Sequence, residues 1–144
     1  MTNEELLEFD VDVLMPALEN QITATSAERI RAGTVVEVAN GPTAAEADSI
    51  LRGRSLSVVP DILANAGGVT VSHVEWTQNR SGLVGKVEEV HERLRSVMTA
   101  AFEATSALAE EEGIDLRTSA HALARRRISA VEAQGTHAHF RGEG

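Results

Sequence analysis

VVPDILANAGGVTVSHVEW, from Val58 to Trp76, is the stretch on which the reading of the whole chain turns. A short apolar run of Leu56, Val58 and Val59 meets Pro60-Asp61 and then Asn65-Ala66-Gly67-Gly68. Val69, His73 and Trp76 follow at the i, i+4, i+7 spacing of one helical face. These residues predict a buried strand ending at Pro60, a backbone turn through the glycines, and a helix over 68–79. In an open α/β sheet, a junction of that kind lies outside the carboxyl ends of the strands, where small ligands bind.

Upstream, the same unit occurs twice more. Asp10 to Met15 reads as a strand closed by Pro16, and Thr34 to Ala39 as a second strand running into Asn40-Gly41-Pro42. Between them, Thr25-Ser26-Ala27-Glu28 has capping-box spacing and predicts a brief helix to Arg31. Thr43-Ala44-Ala45-Glu46 repeats that spacing and opens a helix that Gly53 ends. A short helix over 2–8 precedes everything, with Thr2 or Asn3 as its N-cap. Strand, helix, strand, helix, strand with short connections predicts an α/β fold. Its three parallel strands, joined by right-handed crossovers, form half of a doubly wound, Rossmann-like sheet. The other half of such a fold carries the phosphate-binding GxGxxG, and no such spacing occurs in this chain.

Downstream of Gly68 the pattern is helical. Val90, Leu94, Val97, Ala101, Thr105 and Leu108 form one stripe of a helix over 87–112, stopped by Gly113. Asp115 is placed to cap a further helix in which Leu116, Ala120, Leu123, Ile128 and Val131 line up before Gly135. This divides the chain into a half-sheet over 1–68, helices over 69–135 and a frayed tail over 136–144.

Composition sets the outer limits. At 144 residues and 42% hydrophobic, the chain suffices for one core, built from Val, Leu, Ile and Ala because only 3% is aromatic. A formal net charge of -9, with Lys86 the single lysine, opposes binding to nucleic acid or to an anionic membrane. An acid-rich, lysine-poor surface also suits a high-salt cytoplasm, where self-repulsion is screened. The absence of cysteine excludes disulfides and thiolate metal sites. The acidic start MTNEELLEFD is no signal peptide, and no apolar run reaches membrane-span length, so a cytoplasmic location is expected.

If the strands are parallel, Ala17, Asn40 and Asn65 emerge in loops at one sheet edge. Two Asn side chains there offer donors and acceptors matched to a carboxamide and to ribose hydroxyls. Asn-Gly-Pro and Asn-Ala-Gly-Gly also make ordinary turns, the commoner reason for such spacing. Glu37 and Asp61, near strand ends, are expected to bond neighbouring backbone or an arginine. His73 and His91 are explained by their helices, and His137 and His139 are too few for a metal site. Arg125-Arg126-Arg127 is expected to pair with acids of the long helix or of a neighbouring subunit.

PDILANAGGVTVS, Pro60 to Ser72, resembles the signature segment of the glutamate, leucine, phenylalanine and valine dehydrogenase family, and ANGPT, Ala39 to Thr43, resembles the strand-end motif that precedes it. The resemblance is dense from Asp10 to Asn79. It implies the C-terminal part of an NAD- or NADP-dependent amino-acid dehydrogenase, most like glutamate dehydrogenase. On that resemblance Ala17, Asn40, Gly41 and Asn65 border the cofactor, both Asn at its nicotinamide end, while Ser72 and Val69 shape the substrate pocket. The implied partners are the remainder of the dehydrogenase or homologous subunits. The alternative is a noncatalytic module docking on a full-length subunit. The chain departs from the family in a Pro16-Ala17-Leu18 loop that reads one residue short, in Val38 where glycine is common, and at His73-Val74 where an aromatic pair is common. The base that deamination requires is a property of the family's other domain. No catalytic residue or metal ligand is assigned here.

Overall fold

The computed structural model of the chain describes residues 2–82 and 85–133. Helix α1 (Asn3–Leu7) begins at Thr2 with a full capping box: the Glu5 amide donates to Thr2 Oγ1 at 3.2 Å and the Thr2 amide to Glu5 Oε2 at 2.8 Å. Strands β1 (Val13–Leu14), β2 (Thr34–Val36) and β3 (Ser57–Val59) form one sheet in the order β1-β2-β3, parallel throughout. Leu14 pairs with Val35, and Val35 with Val58, so one apolar row crosses the sheet. The strands are shorter than the apolar runs predict at 10–15, 34–39 and 56–59. Beyond Val36 the chain leaves regular pairing, and Glu37 donates its amide to the Val59 carbonyl at 3.1 Å.

Both crossover helices, α2 (Ala24–Ala27) and α3 (Ala45–Gly53), pack together. The core of Leu14, Ile22, Ala27, Ile30, Val35, Ala47 and Leu51 is almost fully shielded from solvent. The alternate residues Val13 and Met15 are half-exposed, so one sheet face is covered and the other is largely open at β1.

Two capping expectations are corrected. The N-cap of α2 is Thr23, not Thr25: Thr23 exchanges bonds with Ser26, and the helix ends at Ala27 instead of Arg31. Arg54 closes that end by donating Nη2 to the Ile30 carbonyl at 2.6 Å and Nη1 to the Ala27 carbonyl. At α3 the cap position is Ala44, without a side-chain bond. Thr43 is drawn instead into a parallel bridge with Ile22, and its hydroxyl oxygen is buried without a bond partner among the described residues.

The turn expected at the glycines is also different. A short helix, α4 (Asp61–Ala64), starts directly after Pro60, and α5 (Ala66–Ser81) follows with Gly67 and Gly68 inside it. Neither glycine has positive φ, and the break between the helices falls at Asn65, with φ -90° and ψ -3°. Helix α5 ends at Gly82 in the left-handed region, φ 64°. Helix α6 (Val87–Glu112) matches its expected span and stops at Gly113, also at φ 64°. Helix α7 (Leu116–Ala133) returns along α6 and reaches β3. The tail at 136–144, with His137 and His139, lies outside the described residues.

Asp115 caps α7 as expected: the Thr118 amide donates to its Oδ1 at 2.9 Å, the Thr118 hydroxyl to Oδ2 at 2.8 Å, and Arg52 pairs with it at 3.3 Å. Burial alone would raise the Asp115 pKa, but the Thr118 bonds and the Arg52 charge outweigh it and hold the carboxyl below its usual 3.8. The stabilisation is therefore complete above that value and fades as pH falls through the lowered one. Asp115→Ala is expected to cost about 1 kcal/mol at neutral pH. Urea denaturation should show the difference from wild type shrinking in strong acid; a difference that grows there would contradict the cap.

Candidate functional site

The three strand-end loops converge because the strands are parallel, and backbone bonds lock two of them together. The Asn20 amide donates to the Gly41 carbonyl at 2.9 Å, the Ile22 amide to the Pro42 carbonyl at 2.8 Å, and the Ala44 amide to the Ile22 carbonyl at 2.9 Å. Ala17 lies exposed in the first loop. Gly41, in the second, has φ 54°, while a side chain there would meet nothing nearer than Glu19 Cγ at 3.9 Å. Conformation, not crowding, calls for glycine at this position.

The third loop is the Asn65 break. Asn65 Nδ2 donates to Asn40 Oδ1 at 2.6 Å, with the Ala39 carbonyl at 3.5 Å. The two asparagines, 25 residues apart in sequence, thus form one lip. Asn40 is exposed and Asn65 half-buried. Among the described residues, Asn40 Nδ2 and Asn65 Oδ1 have no protein partner. The lip therefore presents one amide donor group and one carbonyl acceptor, the complement of a primary carboxamide.

Ser72 and Val69 stand on α5. With Asn65 at the helix entry, positions 65, 69 and 72 fall on one face by spacing. Val69 is 75% exposed and Ser72 is also exposed, so this face is open. His73 and Trp76 stack with ring centroids 5.9 Å apart, and Arg80 lies over the Trp76 ring at 5.0 Å.

Behind the lip sits a group of charges whose meeting no local pattern indicates. Glu37 is fully buried; its Oε2 accepts the Asp61 amide at 2.9 Å and its Oε1 accepts Arg117 Nη2 at 2.7 Å. Asp61 Oδ2 accepts the Gly41 amide at 2.9 Å. Arg117 also donates Nε to Asp48 at 3.0 Å and reaches Asp61 Oδ1 at 3.5 Å. Glu37 and Asp61 do bond backbone and an arginine, as expected, but that arginine comes from α7. Burial works against the Arg117 charge, yet the Glu37 bond and the Glu37 and Asp48 charges prevail and raise its pKa. Arg126 pairs with Glu112 of α6 at 2.7 Å, as the basic run predicts. A cavity of about 230 Å³ bordered by Leu51, Arg52, Leu56 and Arg117 lies on the β3 side of this charge group and includes none of Asn40, Asn65 and Ser72. Among the described residues, no group of His, Asp and Glu is placed to hold a metal ion.

Comparison with known proteins identifies a family. The model for the glutamate/leucine/phenylalanine/valine dehydrogenase family matches residues 1–135. The chain is 49% identical over 142 residues to the NADP-specific glutamate dehydrogenase of Synechocystis sp., covering 97% of this chain and 33% of that protein. It is 52% identical over 130 residues to the glutamate dehydrogenase of Thermotoga maritima, covering 90% and 31%. In three dimensions it is similar to the hetero-hexameric glutamate dehydrogenase of Thermus thermophilus, with a TM-score of 0.84, 36% identity and coverage of 88% and 31%. It is also similar to the glutamate dehydrogenase of Peptoniphilus asaccharolyticus, with a TM-score of 0.79, 40% identity and coverage of 86% and 32%. The chain spans about a third of the length of the curated relatives it matches.

Proposed function

This chain belongs to the glutamate/leucine/phenylalanine/valine dehydrogenase family, and from that premise we propose that it supplies the nicotinamide side of the cofactor crevice of a cytoplasmic, NAD(P)-dependent glutamate dehydrogenase. The observation that carries the reading is the Asn40–Asn65 lip, with its free donor and acceptor at the ends of parallel strands. These atoms suit the carboxamide of nicotinamide, and Gly41 and Ala17 border the same edge. A nicotinamide held there by Asn40 and Asn65 would supply the hydride acceptor that oxidative deamination of an amino acid requires. Holding the carboxamide fixes which ring face meets the substrate, a positioning role worth more to rate than to affinity. Ser72 and Val69 continue from the lip along α5, where the hydroxyl can donate to the side-chain carboxylate of an acidic amino acid. The remainder of a dehydrogenase subunit would provide the phosphate-binding half and the base.

The test joins this chain with a polypeptide carrying the preceding two-thirds of a glutamate dehydrogenase relative and follows glutamate-dependent formation of NADH or NADPH. Turnover by the mixture and by neither part alone is the expected result. A mixture with no nucleotide binding and no turnover overturns the reading. Within an active mixture, Asn65→Ala is expected to lower turnover about tenfold with a smaller loss of nucleotide affinity, since it removes the amide that holds the carboxamide and frees Asn40; unchanged turnover and binding would remove Asn65 from the site.

Ile128 and Val131, one turn apart on α7 and 60% and 53% exposed, favour a second reading, in which the chain docks on a full-length dehydrogenase subunit without catalysing. Tight binding to an intact homologue with no gain in activity would select it.

A further inference from the structure

We propose that Arg117 is a positioning residue for the nicotinamide edge, setting the Gly41 backbone and the Asn40–Asn65 lip through Glu37 and Asp61; this rests on the cofactor reading above. Arg117 is at the start of α7, 56 residues from Asp61 and 80 from Glu37 in sequence, yet its guanidinium bonds both. The bonds run in series: Arg117 Nη2 to Glu37 Oε1, the Asp61 amide to Glu37 Oε2, and the Gly41 amide to Asp61 Oδ2. Gly41 follows Asn40 directly, and Asp61 holds its amide while the residue is left-handed, at φ 54°.

Charge makes the arrangement conditional on Arg117. Three carboxylates, of Glu37, Asp48 and Asp61, surround one guanidinium. Asp48 has a second cation in Arg52, at 3.0 Å, whereas Glu37 and Asp61 have only Arg117 among the described residues. Without a cation, Glu37 would be a buried unpaired acid and would repel Asp61, shifting the carboxylate that holds Gly41. Lysine, a single point charge on a shorter donor, satisfies one of these acids but not the fork that spans them.

Helix α7 has attachments independent of this series. Ser119 Oγ donates to the Thr105 carbonyl at 2.7 Å, buried within the α6–α7 contact. Ser119→Ala therefore loosens α7 without touching the carboxylates, and separates positioning from general anchoring.

The experiment is ¹⁵N NMR on the labelled full chain, following hydrogen exchange at the Gly41 amide, and then the side-chain amides of Asn40 and Asn65 in the mixture with the complementing polypeptide, with NAD⁺ or NADP⁺ as the added probe. Arg117→Lys is expected to speed Gly41 exchange about tenfold and to weaken the nucleotide response of the Asn amides by a similar factor, as loss of a charge-assisted bond implies. Asp61→Asn, entering the series nearer the lip, should speed Gly41 exchange likewise. Ser119→Ala should lower the melting temperature while leaving Gly41 exchange and nucleotide response at wild-type values. Unchanged Gly41 exchange in both Arg117→Lys and Asp61→Asn, or an equal change in Ser119→Ala, overturns the role of Arg117. Wild-type Asn amides that respond to neither nucleotide in that mixture overturn the cofactor reading itself, so the two failures are read on different signals.

Discussion

Glu37→Ala is expected to destabilise the chain by about 3 kcal/mol, the scale of breaking one side of a buried ion pair. Glu37 has no exposed surface, and its carboxylate is bonded at both oxygens, to the Asp61 amide and to Arg117. Alanine leaves a void and a half-buried guanidinium facing two remaining acids. Glu37→Gln separates the contributions: its carbonyl oxygen can still accept the Asp61 amide, but its NH₂ group meets Arg117 donor to donor. The glutamine variant should therefore also be destabilised, without the cavity. Removing Arg117 in the Glu37→Ala background should cost less than removing it from the wild type, by a coupling of about 1 kcal/mol or more. Urea midpoints for the four proteins of the cycle provide the measurement. A Glu37→Ala midpoint within error of wild type would show that the carboxylate carries no net stabilisation.

The other large effect is expected at Ile22, where Ile22→Ala should cost roughly 2–5 kcal/mol. The side chain is fully buried in the core formed with Val35, Ala47 and Leu51. Its backbone is equally engaged, since its amide bonds Pro42 and its carbonyl accepts from Ala44. Ile22 thus joins the sheet core to the loop that displays Asn40 and Gly41, and its truncation should loosen that loop as well as the fold. Ile128→Ala is the matching control: a residue 60% exposed on α7 should change the stability of this chain by no more than about 0.5 kcal/mol. Equal losses at the two positions would mean that the core is not where burial places it.

Much of the architecture was legible because short-range rules apply to it. The N-cap at Thr2, the stop at Gly113 and the Asp115 cap are all set by residues within one turn of each other. Alternation of apolar runs with amphipathic spacing likewise identified three strands and their parallel sense, and the structure adds their order. Where local chemistry offers two choices, contacts in the folded chain decide. Thr23 and Thr25 both precede a helix-compatible run, and the bond to Ser26 selects Thr23. Thr43 has the spacing of an N-cap, but pairing with Ile22, 21 residues earlier, claims its backbone. Gly67 and Gly68 were expected to turn because glycine permits it; they are helical because α5 packs against α6, where Gly67 comes close to Leu94.

The candidate site divides in the same way. Asn40 and Asn65 could be singled out from sequence, since strands taken as parallel bring their ends to one edge and the ANGPT and PDILANAGG segments resemble the family's motifs. Arg117 could not, because nothing near it in the chain distinguishes it from Arg125 or Arg126. Its role arises only when α7 folds back to β3.

By itself, the amino-acid order determined the half-sheet and the span of the long helix α6, and it marked the pair of asparagines at the rim, since each depends on neighbours a few residues away or on the parallel sense of adjoining strands. Only tertiary structure decided which cation neutralises Glu37, that Asp61 holds Gly41, and which apolar residues remain uncovered. Those outcomes depend on burial, which makes an ion pair necessary where water is excluded, and burial is a property of the assembled layers.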